Sequence, residues 1–126
     1  MSGIGDVLEG EDKEGQWITP PGLAEGPVPA LGERVIIVSV VGDSMVPTLN
    51  PTDRVLVDTA DRTPSPPGMF VVWDGLGLVV KRVEYVAHSA PAMLRLFSDN
   101  ARYAPYERSL EDAHIQGRVI ARWLWF

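Results

Sequence analysis

The chain has 126 residues, of which 45% are hydrophobic; that is one domain's length, with enough apolar content to bury a core, and it excludes wholesale disorder. Eleven basic against seventeen acidic side chains give a net charge of −6, which argues against a strongly basic nucleic-acid surface. The lack of cysteine rules out disulfides, zinc ribbons and thiolate nucleophiles.

Met1 to Asp6 lacks the basic-then-apolar pattern of a signal peptide. The longest apolar run, Val35 to Val41 with Ser39 inside it, is far short of the roughly 20 residues of a membrane helix. The expectation is a soluble, cytoplasmic protein with no membrane partner. Residues 1–26 carry six acids against Lys13 alone, followed by Pro20, Pro21, Pro27 and Pro29 among glycines. Prolines withhold the N–H a sheet needs and favour extended backbone, so residues 1–30 read as an acidic, Pro/Gly-rich arm or linker. Trp17 and Ile18 are its sizeable apolar anchor.

From Glu33 the texture changes to short β-branched runs separated by turn signals. Strands are expected at Arg34–Val41, Asp53–Asp58, Met69–Trp73, Leu78–Tyr85, Ala92–Phe97 and Ile115–Trp125. Three prolines between Thr63 and Gly68 make a turn there, and Asp74-Gly75-Leu76-Gly77 joins two strands as a hairpin. Ser98–Pro105 and Glu107–His114 lie between strands, and Ser44–Leu49 could start a single helical turn. Residues 31–126 thus read as one mainly β domain of short, mostly antiparallel strands.

One segment carries candidate chemistry, Gly42-Asp43-Ser44-Met45-Val46-Pro47-Thr48-Leu49. Ser44 lies between a strand end and a Pro47-restricted turn, a placement that can expose its hydroxyl, and Gly42 supplies freedom in φ. A serine nucleophile needs a base. Lys81 is the candidate, because alternation along Leu78–Tyr85 puts it on the face of Val79, Val83 and Tyr85, opposite Arg82 and Glu84. Desolvation there disfavours the ammonium, and a neutral amine can accept a proton as an arginine could not. A lysine that snorkels to solvent and a serine that caps a turn remain the alternatives from periodicity alone.

The box Gly42-Asp43-Ser44-Met45 with Pro47-Thr48-Leu49, Pro51 and Val55-Leu56-Val57, followed by Val80-Lys81-Arg82-Val83, resembles the LexA/phage-repressor/UmuD-like Ser–Lys peptidase family. The 37-residue step from Ser44 to Lys81 is typical of it, and the likeness spans residues 33–126, including Ser98-Asp99-Asn100 and the closing Gly117-Arg118-Val119-Ile120 strand. The resemblance implies a LexA-like, signal-peptidase-like β-clip fold with an extended N-terminal arm, and Ser44 as nucleophile with Lys81 as general base. It further implies backbone oxyanion donors at Asp43 and Ser44, a cleft wall shaped by Met45, and no cofactor. The substrate would be the chain's own upstream segment, cut in a transcription regulator of SOS type whose activating partner would be a recombinase filament.

The chain departs from that pattern in two ways. No helix-turn-helix precedes the domain, so DNA would be reached only through a domain absent from this chain, or the chain is a stand-alone, UmuD-like form. No Ala-Gly or Cys-Gly bond is present; Glu9-Gly10 lies at the family's distance, 34 residues before Ser44. The same box also looks like bacterial signal peptidase, which is membrane-anchored, whereas this chain has no apolar run long enough to match.

Other residues carry less. His88 and His114 are candidates for a Ser44–His–Asp triad without a local signature, and two histidines lack metal-ligand spacing. Asp43 and Asp53 read as turn residues. The five arginines from Arg95 to Arg122 alternate with acids and read as a solvated face. In the tail, alternation puts Trp123 and Trp125 on one face and Arg122, Leu124 and Phe126 on the other. Bulky groups on both faces of a terminal strand suggest a homodimer interface through Trp123, Trp125 and Phe126, which also fits the resemblance.

Overall fold

The structure, a computed structural model, describes residues 15–18 and 34–125, with side chains from 34 to 124. Its strands are β1 Gly15–Ile18, β2 Val35–Ser39, β3 Arg54–Asp58, β4 Gly68–Trp73, β5 Leu78–Tyr85, β6 Met93–Phe97, β7 Tyr106–Ser109 and β8 His114–Trp125. Every pairing is antiparallel, in the order β2-β3-β8-β4-β5-β6-β7 with β1 added on β8. Among the described residues there is no helix. The mainly β expectation holds.

The twelve-residue β8 is the spine of the sheet. Its middle pairs with β3 on one edge, Val57 opposite Val119, and its start pairs with β4 on the other, Val72 opposite Ile115. Both ladders shift register, between Leu56 and Val57 and between Val71 and Val72, and such irregularities bend a strand and increase its twist. Gly117 lies at this bend. A Cβ there would come within 2.6 Å of a Val57 methyl carbon and 2.7 Å of the Asp58 carbonyl oxygen, so only glycine lets β3 and β8 approach this closely.

Bending buries both faces of the central strands. Val38, Val40, Val55, Val57, Val71 and Val119 form one cluster with Met45 and Leu49, from the loop that carries Ser44. Phe70, Val72, Val83, Leu94 and Leu96 form a second, and Ile37, Leu56 and Ala121 a third. Adjacent residues of one strand therefore feed different clusters, which is why these strands read as continuous β-branched runs rather than strict alternations.

Two strands fall where none was expected. β7 lies inside the stretch read as connecting segments, and Tyr-Glu-Arg-Ser has no apolar rhythm; it pairs with β6 on one side, at the end of the sheet order. β1 lies inside the stretch read as an arm, and its backbone aligns Trp17 with Trp123 and Ile18 with Arg122. In the tail, Trp123 is buried at 5% exposure and so offers little surface to a partner. The side chains of Trp125 and Phe126 lie outside the described residues, as do Glu9 and Gly10.

Candidate active site

The loop between β2 and β3 carries Ser44, and its base is closed by backbone bonds. Val40 N–H donates to the Asp53 carbonyl at 2.7 Å and Thr52 N–H to the Val40 carbonyl at 2.9 Å. Within it the Leu49 N–H donates to the Met45 carbonyl at 2.9 Å, the single helical turn expected there. Met45 and Leu49, each 1% exposed, pin this turn into the core. Gly42 has φ of +80°, a left-handed conformation in which most side chains are strained, and it turns the chain out of β2 just ahead of Asp43. The Asp53 carboxylate accepts from the Asn50 N–H at 2.9 Å, the turn role read from the sequence.

Ser44 is half-buried and lines a pocket of about 140 Å³, together with Val38, Val40, Met45, Val71 and Val80. Gly42 and Pro47 are exposed and shape the turn rather than line this pocket; Met45 does line it. Among the described residues, the amides of Asp43 and Ser44 donate to no protein acceptor.

Lys81 lies on β5 with 7% exposure. Val83 on the same face is buried, Val79 is half-buried, and Tyr85 at the strand's end is 47% exposed; the apolar face stops short of Tyr85. Burial lowers the Lys81 pKa from its ordinary value, and the negative charge of Asp74 opposes that only in part. The amine donates a hydrogen bond to Ser98 Oγ at 2.7 Å, and its nitrogen lies 5.6 Å from the centre of the Tyr103 ring. Among the described residues, Ser98 and not Ser44 accepts from it.

The segment 98–103 ties the two candidate residues together. Asn100 N–H donates to the Ser44 carbonyl at 3.0 Å, and Asn100 Nδ2 to the Asp43 carbonyl at 3.0 Å. Tyr103 donates its hydroxyl to the Asp43 carboxylate, which raises the Tyr103 pKa. Asp99 accepts from Arg82 Nε at 2.6 Å, from Arg82 Nη2 at 3.0 Å, and from the Thr48 hydroxyl. Burial alone would raise the Asp99 pKa; the bonds from Arg82 and Thr48 and the arginine's charge outweigh it and hold the carboxyl below its ordinary value. The same bond raises the Arg82 pKa. The Ser44 loop, the lysine strand and the β6–β7 connection are thus locked to one another.

Asp74 anchors the β4–β5 hairpin. Its carboxylate accepts from the Leu76 and Gly77 amides at 2.9 and 3.0 Å and from the Tyr106 hydroxyl at 2.7 Å. The sequence signals the hairpin but not Tyr106, which arrives from β7. His88 and His114 are both exposed, and neither shares a described hydrogen bond with Ser44.

The model of the Peptidase S24-like family matches residues 11–120. The chain belongs to that family. This S24-like domain is also 33% identical over 93 residues to the 26 kDa repressor protein of Escherichia phage HK022. That alignment covers 71% of this chain and 38% of the repressor, so the chain spans well under half of that relative's length. No helix among the described residues is long and apolar enough to cross a membrane.

Proposed function

We propose that this S24-like domain is a serine endopeptidase, with Ser44 as nucleophile and Lys81 as general base, acting within a phage-repressor-like transcriptional regulator. The supporting observation is a lysine at 7% exposure, depressed in pKa by burial, on the strand that the 98–103 segment ties to the Ser44 loop. The neutral amine takes the Ser44 proton as Oγ bonds to the scissile carbonyl carbon. The carbonyl oxygen becomes an oxyanion facing the Asp43 and Ser44 amides. The ammonium returns the proton to the leaving nitrogen as the C–N bond breaks, and water, deprotonated by the same amine, then hydrolyses the serine ester.

The substrate in this reading is the upstream segment of the chain itself. The apolar pocket beside Ser44 suits an apolar side chain ahead of the scissile bond. A glutamate there would be desolvated without a partner, so Glu9–Gly10 suits the pocket poorly despite its distance from Ser44. Residues 1–30 act as the arm that delivers the substrate to residues 31–126, a second copy pairs through the end of β8 beyond the buried Trp123, DNA is held by a part of the regulator outside this sequence, and a recombinase filament serves as activating partner. The setting is the cytoplasm.

The test is incubation of the chain at pH 7 and pH 10, with fragments analysed by mass. Fragments that accumulate faster at pH 10 and vanish in Ser44→Ala and Lys81→Ala support the reading; the same fragments in wild type and Ser44→Ala contradict it. The bond of Lys81 to Ser98 rather than Ser44 favours a second reading, a pairing module that does not cut. Intact chain at every pH, sedimenting at twice its mass, would support that one.

A further inference from the structure

Asn100 reaches the Ser44 loop twice. Its backbone N–H donates to the Ser44 carbonyl and its Nδ2 to the Asp43 carbonyl, each at 3.0 Å. These carbonyls belong to the two peptide units on either side of Ser44. The Asp43 oxygen also accepts from the Val46 N–H at 3.1 Å, so both of its lone pairs are engaged. The Asp43–Ser44 bond is trans, and in a planar trans unit the C=O and the N–H point opposite ways. Holding the Asp43 oxygen toward Asn100 and Val46 therefore turns the Ser44 N–H away from both. Asn100 is itself fixed: its Oδ1 accepts from the Arg102 N–H at 3.0 Å and its carbonyl from the Tyr103 N–H at 3.1 Å. With the oxygen end of the amide occupied, the NH2 end faces Asp43.

We propose that Asn100 is a positioning residue for the oxyanion: it clamps the two peptide units around Ser44 and so aims the Ser44 N–H at the oxygen of the scissile carbonyl. The inference rests on the reading of Ser44 as the nucleophile. A donor serves an oxyanion only if it already points where the charge will develop, because turning it during the reaction uses up the energy it would supply. Here that direction is set from outside the Ser44 loop, by the segment that follows β6. Tyr103 strengthens the same clamp with its hydroxyl on the Asp43 carboxylate, and Asp99 anchors it to Arg82 and Thr48. Asn100 acts through the Ser44 backbone alone, so its loss lowers the rate without changing the ionisation of the base.

Two measurements on the full chain test this. The first is the direction of the Ser44 N–H, read at pH 6 as its residual dipolar coupling in ¹⁵N-labelled protein. In Asn100→Ala that coupling should change while those of β3, β4 and β5 keep their parent values. The second is modification of Ser44 by a serine-directed fluorophosphonate: the Oγ–P bond forms, fluoride leaves, and the phosphoryl oxygen takes the oxyanion's place. Its plateau rate should fall about ten- to a hundredfold in Asn100→Ala. The pH midpoint of that rate, set beside an NMR titration of lysine enriched in ¹³C at Cε, should stay where it is; a variant that merely loosened the fold around Lys81 would shift it. Asn100→Asp keeps an acceptor for the Arg102 N–H but puts a repelling oxygen in place of the donor, and should lose at least as much rate. If Asn100→Ala does not fold, Asn100→Asp is held to the same changes in coupling and rate. An unchanged coupling or a parental rate in a natively folded variant overturns the proposal. A coupling that moves in a chain whose Ser44 is never modified would uphold the clamp and refute the peptidase reading; Lys81-dependent modification with an unmoved coupling would do the reverse.

Discussion

Asp99 is the residue whose loss most directly tests how the site is held together. Its carboxylate, 15% exposed, accepts two bonds from Arg82 and one from Thr48, so Asp99→Ala removes the joint between the lysine strand and the Ser44 loop. A hydrogen bond to a charged group contributes about 1.5–3 kcal/mol. The Arg82 side chain is 38% exposed, so its two bonds are taken nearer 1 kcal/mol each after solvent screening. With the Thr48 bond, the expected loss is about 3 kcal/mol, roughly a 10 °C fall in Tm for a domain of this size.

The carboxyl's pKa lies below its unfolded value. Its contribution is therefore present above the unfolded pKa near 4 and is lost as pH falls through the lower folded value. Urea unfolding at pH 7 and pH 3 should show a large gap between wild type and Asp99→Ala at the first pH and a smaller one at the second. A double-mutant cycle with Thr48→Val isolates the tie to the Ser44 loop, with an expected coupling of about 1 kcal/mol. Additivity of the two substitutions within roughly 0.3 kcal/mol would refute the claim that Asp99 holds that loop.

Two further outcomes follow from buried charges. Lys81→Met should stabilise the chain at pH 7, because a lysine with a depressed folded pKa costs stability while both states are protonated. As pH rises through the folded pKa the native state sheds the proton first, wild-type stability climbs, and the two denaturation midpoints should converge toward pH 10.5; a gap that widens would contradict the burial argument. Arg118, 8% exposed, donates to Asp61 at 2.7 Å and to the Thr63 and Pro66 carbonyls at 3.1 and 2.8 Å, so Arg118→Met should cost about 3 kcal/mol. Urea midpoints differing by less than the equivalent of about 0.5 kcal/mol would show that the 59–67 loop holds without it.

The strands legible in the sequence are those rich in β-branched residues between turn signals, β2 through β6 and β8, because such runs suit a buried pleated surface wherever they sit. β7 was not legible, since Tyr-Glu-Arg-Ser sets one aromatic ring among polar residues and forms a strand only through the partner that β6 offers. β1 was hidden for a related reason: Gly-Gln-Trp-Ile sits among acids and prolines, and its ladder is with residues more than a hundred positions away. For the site, alternation along β5 pointed Lys81 inward, because the face of a residue is a local property. Ser98, Asp99 and Asn100 stood out only as part of a resemblance. Their contacts depend on the β5–β6 register and on a loop crossing to Ser44, and neither is written in any short window of sequence.

The most direct measurement follows modification of Ser44 by a serine-directed phosphonate, read by intact mass across pH 6–11, beside the NMR titration of Lys81. If the lysine amine is the base, the rate should rise with a single ionisation at the Lys81 midpoint and fall at least a hundredfold in Lys81→Met. A rate that ignores the lysine's titration, or survives its replacement, would contradict the account.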